Sequence, residues 1–157
     1  MKCIIAITAL TLAGALIGCE GRPAIIPNKD ASLRRTSAQL AADSAKRTYQ
    51  AEAPKGGEVA GRAEVDYTLK AVHLANLSPD DWDNVEVWIN QKYVVYIPKL
   101  PHDVKGSGYR HLNFQMFYDQ NGQHIPITAF GISKIRVEKV ELAMDGKMYD
   151  VPVRLAD

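Results

Sequence analysis

The sequence predicts a mainly β protein, an immunoglobulin-like antiparallel β-sandwich carried behind an Ala-rich helical tether. Three observations lead there. Apolar residues over roughly the last hundred positions recur with a period of two, the mark of half-buried strands. Turn chemistry at Asn76–Asp80, Asp119–Gly122 and Asp145-Gly146 punctuates them. Helix-forming composition is confined to Asp30–Ala53. Six or seven short strands in about 100 residues, with no helix between them, describe two packed sheets. A small barrel is the alternative.

The N-terminus has the order of a secretory signal. Lys2 supplies the positive charge, Ile4–Ala15 the apolar stretch, and Leu16-Ile17-Gly18 precedes Cys19. The apolar run covers roughly 16 residues, short of the about 20 that a membrane-spanning helix needs. On these residues, the segment 1–20 resembles a bacterial lipoprotein precursor with its lipobox. That resemblance implies removal of a signal peptide at 1–18 and lipid on the Cys19 sulfur and the new N-terminus. It also implies a bacterial cell-envelope location, with the membrane as partner through the anchor. Each buried lipid CH₂ contributes about 0.8 kcal/mol, so two or three chains such as palmitate hold essentially permanently. Glu20 after the cysteine implies the outer membrane if the cell is Gram-negative. Arg154-Leu155-Ala156-Asp157 lacks the terminal lysine of lipoproteins that crosslink to peptidoglycan.

Charge excludes one class of partner. The 157 residues carry 19 basic and 18 acidic groups. Loss of residues 1–18 removes only Lys2, leaving 18 against 18 on the remaining 139 residues. A neutral chain offers no basic face for nucleic acid. With Cys3 removed and Cys19 lipidated, no cysteine pair remains, so the fold rests on packing rather than on disulfides.

The segment 19–57 reads as a lipidated linker and a solvated helix. Pro23 and Pro27 favour extended chain. Asp30–Ala53 lacks Gly and Pro; Asp30 or Ser32 caps it, and Pro54 with Gly56-Gly57 ends it. Asp43 and Arg47 form an i,i+4 pair in the favourable order. Leu33 and Leu40 share a face, but Ser44 and Arg47 follow where a coiled-coil seam needs apolar residues. The helix is therefore expected to hold the domain off the membrane.

Residues 58–157 form the expected sandwich domain. Val65, Tyr67, Leu69 and Ala71 alternate, then Val72 and Leu74 continue in the opposite phase, which predicts a β-bulge near Lys70–Val72. Trp82–Ile89 and Tyr93–Ile97 form a hairpin about Asn90-Gln91, closed off by Pro98 and Pro101. Tyr109–Tyr118 is a strand with Leu112, Phe114, Met116 and Tyr118 on one face, followed by a short piece at His124–Ile127. The last pair is Ile132–Met144 and Lys147–Leu155 around Asp145-Gly146, a strong hairpin signal. Its phase shift between Val137 and Val140 predicts a second bulge.

Within this domain, Phe114-Gln115-Met116-Phe117-Tyr118-Asp119, closing on Gly122, resembles the signature of FxLYD-type domains. Asn76 and Trp82…Val85-x-Val87 suit the same pattern. Gln115 stands where the motif carries Phe, and the Asn90-Gln91 hairpin is added. The resemblance covers about 45 residues. It implies a small sandwich module of uncharacterised envelope lipoproteins, and no mechanism.

No catalytic set emerges. Ser107 lies in Gly106-Ser107-Gly108, which is neither a nucleophile elbow nor a phosphate loop. His73, His102, His111 and His124 fall in different segments without zinc-site spacing, so no metal or cofactor is assigned. Asp80, Asp81 and Asp83 form a solvated turn, with a calcium site as the alternative. Apolar residues on both faces of the Trp82–Ile97 hairpin are more suggestive. A two-residue turn places Trp82, Trp88, Tyr93, Val95 and Ile97 together, and Trp82, Trp88 and Tyr93 become the candidate interaction surface. Cover by the Pro98–Pro101 loop or by the Asp30–Ala53 helix is the competing explanation. The chain reads as a non-catalytic, membrane-anchored lipoprotein with an interaction or structural domain and an envelope protein partner. A ligand- or calcium-binding module at the membrane surface is the alternative.

Overall fold

The alternating pattern folds into two sheets packed face to face, in a computed structural model that describes residues 35–103, 109–127 and 135–156. Expectations for the signal segment, Cys19, the linker to residue 34 and the Ser107 loop lie outside the described residues. The strands are β1 (Lys55–Glu58), β2 (Gly61–Asp66), β3 (Ala71–Asn76), β4 (Trp82–Ile89), β5 (Tyr93–Leu100), β6 (Tyr109–Asn113), β7 (Val140–Met144), β8 (Lys147–Val151) and β9 (Val153–Leu155). One sheet has the order β1-β8-β7-β4-β5, the other β6-β3-β2-β9. Both are mixed rather than purely antiparallel, because β1 runs parallel to β8 and β2 parallel to β9.

The core lies between the sheets. Val85, Val87, Ile89, Val95, Ile97 and Leu142 from the first sheet meet Ala63, Val65, Val72, Leu74 and Leu112 from the second. Phe114, Phe117 and Ile125 fill one end, all fully buried.

Turn chemistry explains most departures from the expected elements. The phase shift near Lys70 is a hairpin turn and not a bulge: Asp66 Oδ1 accepts from the Leu69 N–H at 2.8 Å, and Lys70 takes φ +55°. Asn90 and Gln91 both adopt positive φ, but Ile89 pairs with Tyr93, so the connection has three residues, not two. Pro98 sits inside β5 instead of ending it, tolerated because β5 is a sheet edge. The Tyr109–Tyr118 run breaks after β6 into a 3-10 turn at Phe114–Met116, capped by the Asn113 side chain on the Gln115 N–H.

Asp145-Gly146 forms the expected tight hairpin, with φ +52° and +70°, the type I′ signature. Among the described residues the strand before it starts at Val140, with residues 132–134 of the expected strand lying outside them, and the expected second bulge is an irregular stretch at 136–139. Asn90 holds that stretch: its Oδ1 accepts from the Glu138 and Lys139 N–H groups, and its Nδ2 donates to the Arg136 carbonyl. The expected last strand is two, because Pro152 lies between β8 and β9 and the chain there changes sheets.

The helix α1 is Ser37–Ser44, far shorter than Asp30–Ala53. Thr36 caps it in a reciprocal box with Gln39. It is not solvated: Leu40 and Ser44 are buried, and it packs on β5 and the 3-10 turn. Because β1 pairs with β8, the expected boundary at 57/58 falls inside a strand, and the described part of the tether belongs to the fold. Gly56 lets the Tyr149 ring lie against β1, since a Cβ there would stand 2.1 Å from that ring and force it to shift.

Candidate interaction surface

Strand pairing separates the three aromatic residues expected to share an exposed face. With Ile89 opposite Tyr93, the inward set of the hairpin is Val85, Val87, Ile89, Tyr93, Val95 and Ile97, and Trp88 points the other way beside Val94. Trp82 (5% exposed) and Tyr93 (6%) belong to the inter-sheet core. Trp88 (3%) is on the outer face, but covered. Trp82, Trp88 and Tyr93 therefore do not form one open surface. For Tyr93 the reason is a single added residue in the turn, since in a period-two element a one-residue slip moves side chains to the opposite face. Trp82, on the same strand as Trp88, turns inward because Asn84 between them takes φ +53° and breaks the alternation within β4.

Residues 45–54 provide the cover. Leaving α1, the chain runs over the outer face of the five-stranded sheet as a strap, with Tyr49 and Ala53 packed on Trp88, Val94 and Met148. Tyr49 meets Trp88 edge to face, ring centroids 5.5 Å apart. The strap is also bonded at both ends. Ser44 Oγ donates to the Val94 carbonyl at 3.0 Å, and the Met148 N–H donates to the Pro54 carbonyl at 2.9 Å.

Charge secures the middle. Arg47 donates to Glu86 at 2.5 Å and to Asp43 at 3.3 Å, and its guanidinium lies 4.1 Å from the Tyr96 ring centre. The i,i+4 pair expected from sequence is thus present and extended to the sheet. Trp88 Nε1 donates to the other Glu86 oxygen at 3.2 Å. Glu141, only 1% exposed, accepts from the Tyr49 hydroxyl at 3.0 Å and from Lys139 at 2.8 Å. Burial, then the Glu141 carboxylate, push the Tyr49 phenol above its ordinary value. The hydrogen bond to Glu141, followed by that to Asp150, raises the Lys139 ammonium. Tyr49, Glu86 and Glu141 escaped sequence reasoning because the contacts that join strap to sheet, Arg47 to Glu86 and Tyr49 to Glu141, link segments dozens of residues apart.

Asp43 gives the strap an acid dependence. Burial pushes its carboxyl up, but the Arg35 and Arg47 guanidiniums outweigh this and hold it below 3.8. A lowered folded value stabilises the protein fully above the ordinary one and is lost as pH falls through it. The stability difference between the protein and Asp43→Asn, measured by urea unfolding, is therefore expected to be present at pH 7 and to shrink as pH drops below 3.8.

A cleft of about 250 Å³ remains between the strap and the β4–β5 turn, with Arg47, Tyr49, Trp88, Lys92 and Asp119 among the residues that line it. Lys92 and Asp119 stand 3.8 Å apart. It is small against typical ligand pockets, about 300–1,000 Å³.

The acidic turn is already engaged. Asp81 pairs with Lys99 at 2.7 Å and accepts from the His102 N–H at 2.9 Å, and Lys99 first, then His102, hold its carboxyl far below the usual range. Asp83 is 62% exposed and 4.0 Å from the same lysine. Among the described residues, no helix is long and apolar enough to cross a membrane. Compared with known protein families, curated proteins and solved structures, the chain matches none.

Proposed function

We propose that this chain is a lipid-anchored, non-catalytic lipoprotein of the bacterial envelope, whose immunoglobulin-like sandwich serves an interaction or structural role close to the membrane. The observation that carries this reading is the strap. It makes residues 35–58 part of the domain, so only Glu20–Arg35 separates Cys19 from the Thr36 cap. Sixteen residues span at most roughly 55 Å even when fully extended. The domain then stays near the lipid surface, instead of standing off it on a free helix. Two face-packed sheets of five and four strands support the immunoglobulin-like reading. The Phe114–Gly122 segment supports kinship with FxLYD-type domains, since Phe114 and Phe117 are buried and Asp119 caps the turn, accepting from the Asn121 and Gln123 N–H groups.

Fractionation of cells making the protein or Cys19→Ser tests the anchor. The protein is expected in the membrane fraction, released by detergent only, and the variant in the soluble envelope fraction. A variant that still sediments with membranes would refute the lipid anchor. The second reading, a small-ligand module at the membrane surface, is favoured by the cleft beside Tyr49 and Trp88. It requires a ligand whose stabilising effect is lost in Lys92→Ala.

A further inference from the structure

The outer face of the four-stranded sheet carries a pair of histidines that sequence spacing concealed. Strand β3 pairs with β6 so that His73 stands directly opposite His111. Their rings lie at 71° with centroids 4.8 Å apart. Two imidazoles on one ion, at metal–nitrogen distances of about 2.0–2.1 Å, have centroids roughly 4.5–5.2 Å apart for ligand angles from square-planar to tetrahedral. The pair therefore has the separation of a chelate before any ion arrives.

The surroundings suit that chemistry. His73 is buried and stacked on Tyr109, and its Nδ1 is hydrogen-bonded to the Tyr109 hydroxyl. In the tautomer that donates Nδ1–H to the phenol oxygen, Nε2 keeps a free lone pair. This is the arrangement that orients metal-binding histidines. His111 is exposed and free to adjust. Glu64 stands opposite His73 on the far side, in β2, and extends the row.

We propose that His73 and His111 form a two-histidine site for a borderline transition-metal ion, with Cu²⁺ bound most tightly among divalent ions. The preference follows the order of stability for nitrogen ligands. Among the described residues, no group of three or more His, Cys, Asp or Glu stands ready to hold a metal. Two protein nitrogens thus hold the ion, and water completes its coordination. The site is independent of the lipid anchor and of the strap.

Titration of the full-length chain in detergent with CuCl₂ tests this, read by electron paramagnetic resonance and by the Cu²⁺-dependent rise in Tm. The expected spectrum shows two imidazole nitrogens on copper. His111→Gln should weaken binding at least roughly tenfold, a loss above about 1.4 kcal/mol. It should also abolish the rise in Tm and leave the metal-free Tm unchanged, because this residue is exposed. His124→Gln should bind as the unmodified protein does. Unchanged copper affinity in His111→Gln, a loss confined to His124→Gln, or a single nitrogen on copper would each overturn the site. Should the buried His73→Gln fail to fold, His111→Gln alone decides.

Discussion

Trp88→Ala is expected to destabilise the protein by about 3–5 kcal/mol, the usual cost of truncating a buried tryptophan. Trp88 is the centre of the outer-face cluster, enclosed by Tyr49, Val94 and Met148. Truncation removes this packing, opens a cavity beneath the strap, and takes away the indole N–H that Glu86 accepts. The damage should be anisotropic. The inter-sheet core does not contain Trp88, so the first consequence is release of residues 45–54. Urea unfolding would give the loss of stability, and limited trypsin digestion under native conditions would show new cleavage at Lys46 and Arg47. Cleavage spread evenly over the sandwich, with the strap still protected, would mean that Trp88 does not hold the strap down.

Asn76→Ala is expected to cost about 2–4 kcal/mol, more than the removal of an exposed polar side chain, because it leaves partners unpaired in the interior. Asn76 has no exposed surface. Its Nδ2 donates to the Asp80 carbonyl at 2.9 Å and the Leu100 carbonyl at 3.1 Å, while its Oδ1 accepts from Ser78 N–H and Oγ at 3.0 and 2.6 Å. One amide thereby shapes the β3–β4 turn and ties it to the end of β5. Asn76→Asp should be at least as damaging at neutral pH, since it removes both donors and buries a charge. Equilibrium denaturation of the two variants checks the order.

The mainly β class, the Asp145-Gly146 hairpin and the Asn76 and Asp119 turns were legible because each depends on neighbours in sequence. Period-two alternation and positive-φ turn residues are local properties. The misreadings share a cause. The turn at Asp66–Lys70 contains neither Gly nor Pro, and depends on one Asp66–Leu69 hydrogen bond. Helix propensity over Asp30–Ala53 was real, but residues 47–54 found better partners on the sheet, and tertiary contacts outweigh tenths of a kcal/mol per residue. At the candidate sites, sequence reasoning noticed Trp88 and its apolar surroundings but could not see its lid. It noticed four histidines but not that two of them become neighbours.

By itself the sequence determined the strand-rich domain, its main turns and a charge balance close to neutral. All of these follow from composition and short-range stereochemistry. Only the tertiary structure decided which face each aromatic occupies, that the tether becomes a strap, and that His73 meets His111. Those outcomes depend on strand register and on pairing between segments tens of residues apart. A one-residue change in a loop reverses every side chain beyond it, and long-range partners are selected by the burial they complete together.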